Sequence, residues 1–141
     1  MRLRQNAHRL TAGLVTLAVL NACNRTTARL APELDARFQQ EGITRRADDL
    51  VFRYTFNRGS GWEDRDASIV VTHRTVYIHK NEKVGVEITP DASGSYEVHR
   101  DHDRVIIKVG GGKTADSWSF RPPEDAEGWT QDIRAVIKQG V

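Results

Sequence analysis

The sequence predicts a mainly β domain: about seven antiparallel strands in a bent barrel or sandwich, closed by one C-terminal amphipathic helix. Three observations carry this. From Leu50 onward, apolar and polar residues alternate in short runs. Turn-forming clusters separate those runs at roughly 8–12-residue spacing, as in all-β domains. After Pro122-Pro123 the apolar period lengthens to that of a helix.

The first strand is read at Leu50-Phe52-Tyr54-Phe56, alternating with Val51, Arg53 and Thr55. Asn57–Gly61 is a turn cluster. Ala67–Thr72 and Thr75–Lys80 read as strands around His73-Arg74. In the second of these, Val76 and Ile78 face one side while Thr75, Tyr77 and His79 face the other. A turn at Asn81-Glu82 leads to Lys83–Thr89, with Val84, Val86 and Ile88 on one face. Pro90–Gly94 is a loop, and Tyr96 and Val98 mark a fifth strand. Asp101–Asp103 turns the chain into a sixth, with Val105, Ile107 and Val109. Gly110–Gly112 breaks it, and Ser117–Arg121 is the seventh, with Trp118 and Phe120 inward. In the final helix, Ala126, Trp129, Ile133, Val136 and Ile137 form one apolar stripe. Glu124, Asp125 and Glu127 suit its N-terminus, and Gly140 its C-terminal cap. Ahead of the strands, Glu33–Gln40 is predicted as a short helix, with Leu34 and Phe38 on one face and Gly42 as its stop.

The first residues are of a different kind. Met1–Arg9 holds Arg2, Arg4 and Arg9 and no acid. Leu10–Leu20, which follows, is too short to cross ~30 Å of hydrocarbon as a helix. A basic start before a short apolar stretch is the layout of a secretory signal. The chain has one cysteine, Cys23, so no intramolecular disulfide forms. The segment Leu20-Asn21-Ala22-Cys23 resembles the bacterial lipobox, with Asn21 a departure from the residues usual at that place. That resemblance implies cleavage before Cys23, lipid on its thiol and acylation of the new amino group. Two or more acyl chains give stable anchoring where one does not. Asn24, in place of an Asp, leans toward an outer membrane facing the periplasm if the organism is Gram-negative. The expected organisation is therefore a lipoprotein signal peptide over 1–22, a lipidated Cys23 with tether and short helix over 23–49, and the β domain over 50–141.

Charge follows the same division. The chain carries a formal +2, but three of its 21 Lys and Arg lie in the signal. The rest holds 18 basic residues against 19 acidic ones, a net −1. Such a domain has no overall field to attract nucleic acid.

Seven strands closed by a helix with a central Trp129 resemble the pleckstrin-homology (PH) family over about Leu50–Gln139. Phe120–Trp129 is similar to the junction at which that family's last strand enters its helix. The resemblance implies a PH-like bent barrel plugged by the helix, with Trp129 in the core. That family's best-known activity is phosphoinositide binding through basic residues around the first hairpin, and it is not carried over because this sequence departs there: Arg58 and Arg65 in the first loop are outweighed by Glu63, Asp64 and Asp66.

No residue set points to catalysis, and no cofactor is expected. Gly110–Thr114 lacks the first glycine of a phosphate loop, since Ile107 stands there. The serines fall in no nucleophile-elbow context. His99 and His102, near Asp101 and Asp103, are the candidate metal ligands, needing a third from another strand. Trp62, in a charged loop, together with Tyr77 and His79, is expected on an exposed face available to a partner. The function expected is a non-enzymatic envelope lipoprotein, held to the membrane through Cys23 and acting as an interaction module for another envelope protein. The alternatives are a carrier for a small apolar ligand or, behind it, a metal-binding protein. The many large aromatics favour a filled core and hence the module.

Overall fold

A computed structural model describes residues 29–56, 59–80, 83–90, 96–109 and 116–138. Cys23 and the signal segment, Asn81-Glu82, most of the Pro90–Gly94 loop, Gly110–Thr114 and Gly140 lie outside the described residues. Helix α1 (Pro32–Glu41) precedes seven strands: β1 (Ile43–Thr55), β2 (Gly61–Thr72), β3 (Val76–Lys80), β4 (Lys83–Ile88), β5 (Tyr96–Asp101), β6 (Arg104–Val109) and β7 (Asp116–Phe120). Helix α2 (Ala126–Lys138) follows. The strands form one antiparallel sheet in the order β4-β3-β2-β1-β7-β6-β5, curled into a half-barrel.

β1 is the long member and lies between β2 and β7. It starts at Ile43, not at Leu50, the start that alternation predicts. The alternation is hidden by bulges. Pairing with β2 shifts between Ala47 and Leu50 and again between Leu50 and Phe52, where Asp49 and Asp66 take left-handed φ of 57° and 58°. A short carboxylate side chain tolerates that conformation better than most. Each extra residue bends the strand and raises its twist. Ala47 and Leu50 thus both reach the inner face, although their spacing is odd. β2 likewise begins at Gly61, so the charged stretch Trp62–Asp66 is strand rather than loop.

The inner face of the curl is the main core. Phe52, Ile69, Val71, Val76, Ile78, Val105, Ile107 and Phe120 are closed over by Trp129, Ile133 and Val136 of α2. Trp129 stands edge-on to Phe120 at 5.6 Å, and Phe120 meets Phe52 at 5.0 Å. The polar side of α2 is also fixed. Arg45 of β1 donates to Asp132 at 2.7 Å and to Asp125 at 2.9 Å, and its guanidinium lies 5.9 Å from the Trp129 ring. Asp125 caps the helix by accepting the Gly128 N–H at 3.1 Å. Gly128 leaves room for this: a Cβ there would run into the Asp125 and Arg45 side chains. Arg134 donates to the Val98 carbonyl at 2.9 Å, which covers part of the β5 edge.

α1 packs on the opposite, outer face. Phe38, with Leu30 and Leu34 beside it, covers Val70 and Tyr77. Pro32 opens the helix, and Gly42 (φ 84°) ends it while donating to the Phe38 carbonyl at 3.0 Å. Glu41 in the last turn accepts the Thr75 hydroxyl at 2.9 Å, joining α1 to the β2–β3 turn. β2 therefore buries residues of both faces from Ala67 to Thr72. The segment before Leu50 thus holds, besides the short helix expected there, the start of β1 at Ile43.

Two outcomes follow from this packing. Trp129→Ala should cost about 3–5 kcal/mol, as buried aromatic truncations do, and a thermal melt should show most of the domain's stability gone. The second concerns acid. The Gly128 N–H, then Arg45, hold the Asp125 carboxyl below the usual carboxylate range. A depressed folded-state value adds stability above the unfolded value of about 3.9, and the gain is lost as pH falls through the folded value. The melting temperature should therefore drop below about pH 4, and less so in Asp125→Asn.

Candidate functional site

The inner face is filled at the α2 end and open at the other. Along β1 the inward residues run Leu50, Phe52, Tyr54, and the last of these is only partly buried against the core. Tyr54 pairs across β2 with Trp62 and across β7 with Trp118. Its ring lies 5.3 Å from Trp62 and stands at 90° to Trp118 at 6.3 Å. Phe56, just past the strand, packs on the other side of Trp62 at 4.8 Å. The hairpin holds this arrangement: Phe56 N–H donates to the Ser60 carbonyl at 2.7 Å, and Gly59 N–H to the Phe56 carbonyl at 2.9 Å.

These rings, with Thr55, Gly85, Val86 and Ser117, line a groove of about 330 Å³ at the mouth of the half-barrel. Trp62 is 53% exposed, the most exposed large apolar side chain among the described residues, and Phe56 is exposed beside it. Asp64 and Asp116 give the rim negative charge. Lys80 reaches Asp64 at 3.5 Å. Burial, aided by the Asp64 charge, pushes the Tyr54 phenol up from its ordinary value, so it stays a neutral donor. The groove thus offers aromatic faces, a phenol and an acidic rim.

Two other hollows are polar. One of about 600 Å³, between the end of α1 and the β3–β4 pair, holds Arg37, Glu41, Arg74 and Glu87. Its charges balance, with Arg37 bound to Glu87 at 2.6 Å. The other, of about 390 Å³, lies on the outer face around Arg53 and Arg104.

The partner residues read from sequence divide. Trp62 is at the mouth and exposed. Tyr77 and His79 are not on an exposed face: each is 1% exposed. They do share the face opposite Val76 and Ile78, but α1 lies over it. Tyr77 packs under Phe38 at 5.3 Å, and His79 stacks on Tyr77 at 5.4 Å. His99 and His102 are exposed on the β5–β6 hairpin, each beside one carboxylate: His99 with Glu97 at 3.2 Å, His102 with Asp101 at 2.7 Å. Among the described residues no group of three or more His, Cys, Asp or Glu is placed to hold a metal. Cys23 lies outside the described residues.

Sequence reading placed Tyr54, Phe56 and Trp118 in the core with Phe52; Tyr54 and Trp118 do pack against the main core, partly buried, and also line the groove, while Phe56 is exposed. No helix among the described residues is long and apolar enough to cross a membrane. No protein-family model matches the chain, and no curated protein matches it.

Proposed function

We propose that this chain is a lipid-anchored envelope lipoprotein whose β domain is a non-enzymatic binding module, and that it binds at the aromatic mouth. The observation that carries the binding site is Trp62: more than half exposed, yet fixed in place by Tyr54 and Phe56 at the rim of a groove. Rigid, exposed Trp and Tyr supply large contact area at small entropic cost, and such residues dominate interface energetics. The aromatic faces suit an apolar segment of an envelope protein. The lipobox-like segment ending at Cys23 supports the address, an outer membrane facing the periplasm if the organism is Gram-negative. The strand order and the single closing helix support the PH likeness in fold alone, and fold does not carry function.

One observation favours a second reading. The groove volume falls at the small end of small-molecule sites, about 300–1,000 Å³, which suits a small apolar ligand held at the mouth.

The test uses the full chain in its own envelope. Wild type should lose residues 1–22, gain acyl mass and follow the membrane, while Cys23→Ser should do none of these. A photo-crosslinking side chain in place of Thr55, which lines the groove, should give one discrete protein adduct that Trp62→Ala abolishes. Trp62→Ala should change stability by only about 1 kcal/mol or less, because the ring is half exposed. A stoichiometric small molecule and no protein adduct would establish the second reading. An adduct indifferent to Trp62, with no small molecule, would overturn the site.

A further inference from the structure

We propose that the outer face of β1, β7 and β6 carries a second site, in which Arg53, Arg104 and Arg121 bind a phosphate group around the Ser119 hydroxyl. It lies on the opposite side of the sheet from the aromatic mouth and stands independently of it. α1 covers the outer face over β2 and β3, whereas this part of the sheet carries a hollow of about 390 Å³.

The register assembles the site from three distant stretches of chain. Arg53 is the cross-strand partner of Ser119. Arg104 donates to Ser119 Oγ at 3.2 Å. Val105 pairs with Phe120, so the next rung of that ladder sets Arg104 against Arg121. Like charges directly opposed across two strands destabilise a sheet. Here the opposition is only partly relieved. Glu63 meets Arg53 at 2.8 Å and Asp103 meets Arg121 at 3.4 Å, but no ion pair reaches Arg104 or Arg65 among the described residues. Burial, and then the fields of Arg53 and Arg121, hold the Arg104 guanidinium below its ordinary value. A cation kept in that setting gains when an anion arrives.

The lining also identifies the anion by chemistry. Four arginines, Arg65 included, stand against Asp49, Glu63 and, on Arg121, Asp103, which leaves the hollow net positive. A net positive hollow built of guanidinium groups suits a phosphomonoester. Guanidinium forks pair with phosphate oxygens two at a time, and the Ser119 hydroxyl oxygen, accepting from Arg104, helps hold that guanidinium at the hollow. The domain beyond the signal is net negative, so the cluster is a local feature rather than a share of overall charge. It is too small for an extended polyanion. The phosphate belongs either to a soluble phosphomonoester or to an anionic lipid headgroup.

The experiment takes the full chain carrying Cys23→Ser, so that no acyl chain contributes. Inorganic phosphate should raise the melting temperature saturably above that in chloride at equal ionic strength. Co-sedimentation with phosphatidylcholine vesicles, with and without phosphatidic acid, is measured alongside. Binding to the phosphatidic acid vesicles alone assigns the phosphate to a lipid headgroup. A phosphate-dependent shift without vesicle binding assigns it to a soluble ligand. In either case the double variant Arg53→Gln, Arg104→Gln should weaken the response by at least ~10-fold, since both contacts are charge-assisted. Equal melting in phosphate and chloride with no preference for phosphatidic acid would overturn the proposal. So would a response that survives in the double variant.

Discussion

β1 is the constraint on which the rest of the structure depends. One strand must pair with β2 along its length and with β7 near its end, so it belongs to both halves of the sheet. A flat ribbon could not do this and still wrap a core. The two bulges that flank Leu50, with Asp49 and Asp66 in left-handed conformation, supply the bend. They also correct the facing of the side chains. Without the shift, Ala47 and Leu50 would point to opposite sides, and half of β1 would present its apolar residues to water. The bend is what makes the sheet a half-barrel with an inside.

A half-barrel has two ends, and the chain has one helix to close them. α2 seals one end through Trp129, and Arg45 pins it to β1 through Asp125 and Asp132. From that seal an aromatic series runs along the inside: Trp129, Phe120, Phe52, then Tyr54 with Trp118, then Trp62 and Phe56. The rings are similar in kind and differ in what covers them. Those near α2 are core, Tyr54 and Trp118 are partly buried against it, and Trp62 and Phe56 are exposed. The same packing chemistry that stabilises the domain thus becomes, where the helix stops, a set of rigid apolar faces at a groove. The outer face divides in a parallel way. α1 covers β2 and β3, while β1, β7 and β6 show arginines to solvent.

The regular elements were legible in the sequence because their burial is regular. Val76 and Ile78 alternate with Tyr77 and His79, and Trp129 and Ile133 recur at helical spacing, as the structure has them. What was not legible came from partners remote in sequence. Alternation separates the two faces of β3 but does not say that α1 folds over the second, so Tyr77 and His79 read as exposed and are buried. The bulge at Asp49 erased the period that would have extended β1 back to Ile43. The start of β2 read as loop because Trp62–Asp66 lies at the mouth, where polar side chains are tolerated on both faces. Trp62 itself was legible as an exposed aromatic. Its companions Tyr54 and Trp118 read as inward, and they do pack against the core; that they also line a groove depends on register with Trp62, which alternation does not give. Arg53, Arg104 and Arg121 are unremarkable in sequence, and only the register brings them together.

Native-state hydrogen exchange tests the role of β1 most directly. If β1 joins both halves, the amides of β1 and β2 that pair between Ala47 and Phe52 should exchange only through global unfolding, because no local opening frees them. Those of the β4 edge and of the hairpin that carries Trp62 should exchange through smaller openings. Protection centred instead on β5 and β6, with β1 opening by itself, would contradict the account: the two halves would then be separate units, and the bend at Leu50 a joint between them rather than the frame of one fold.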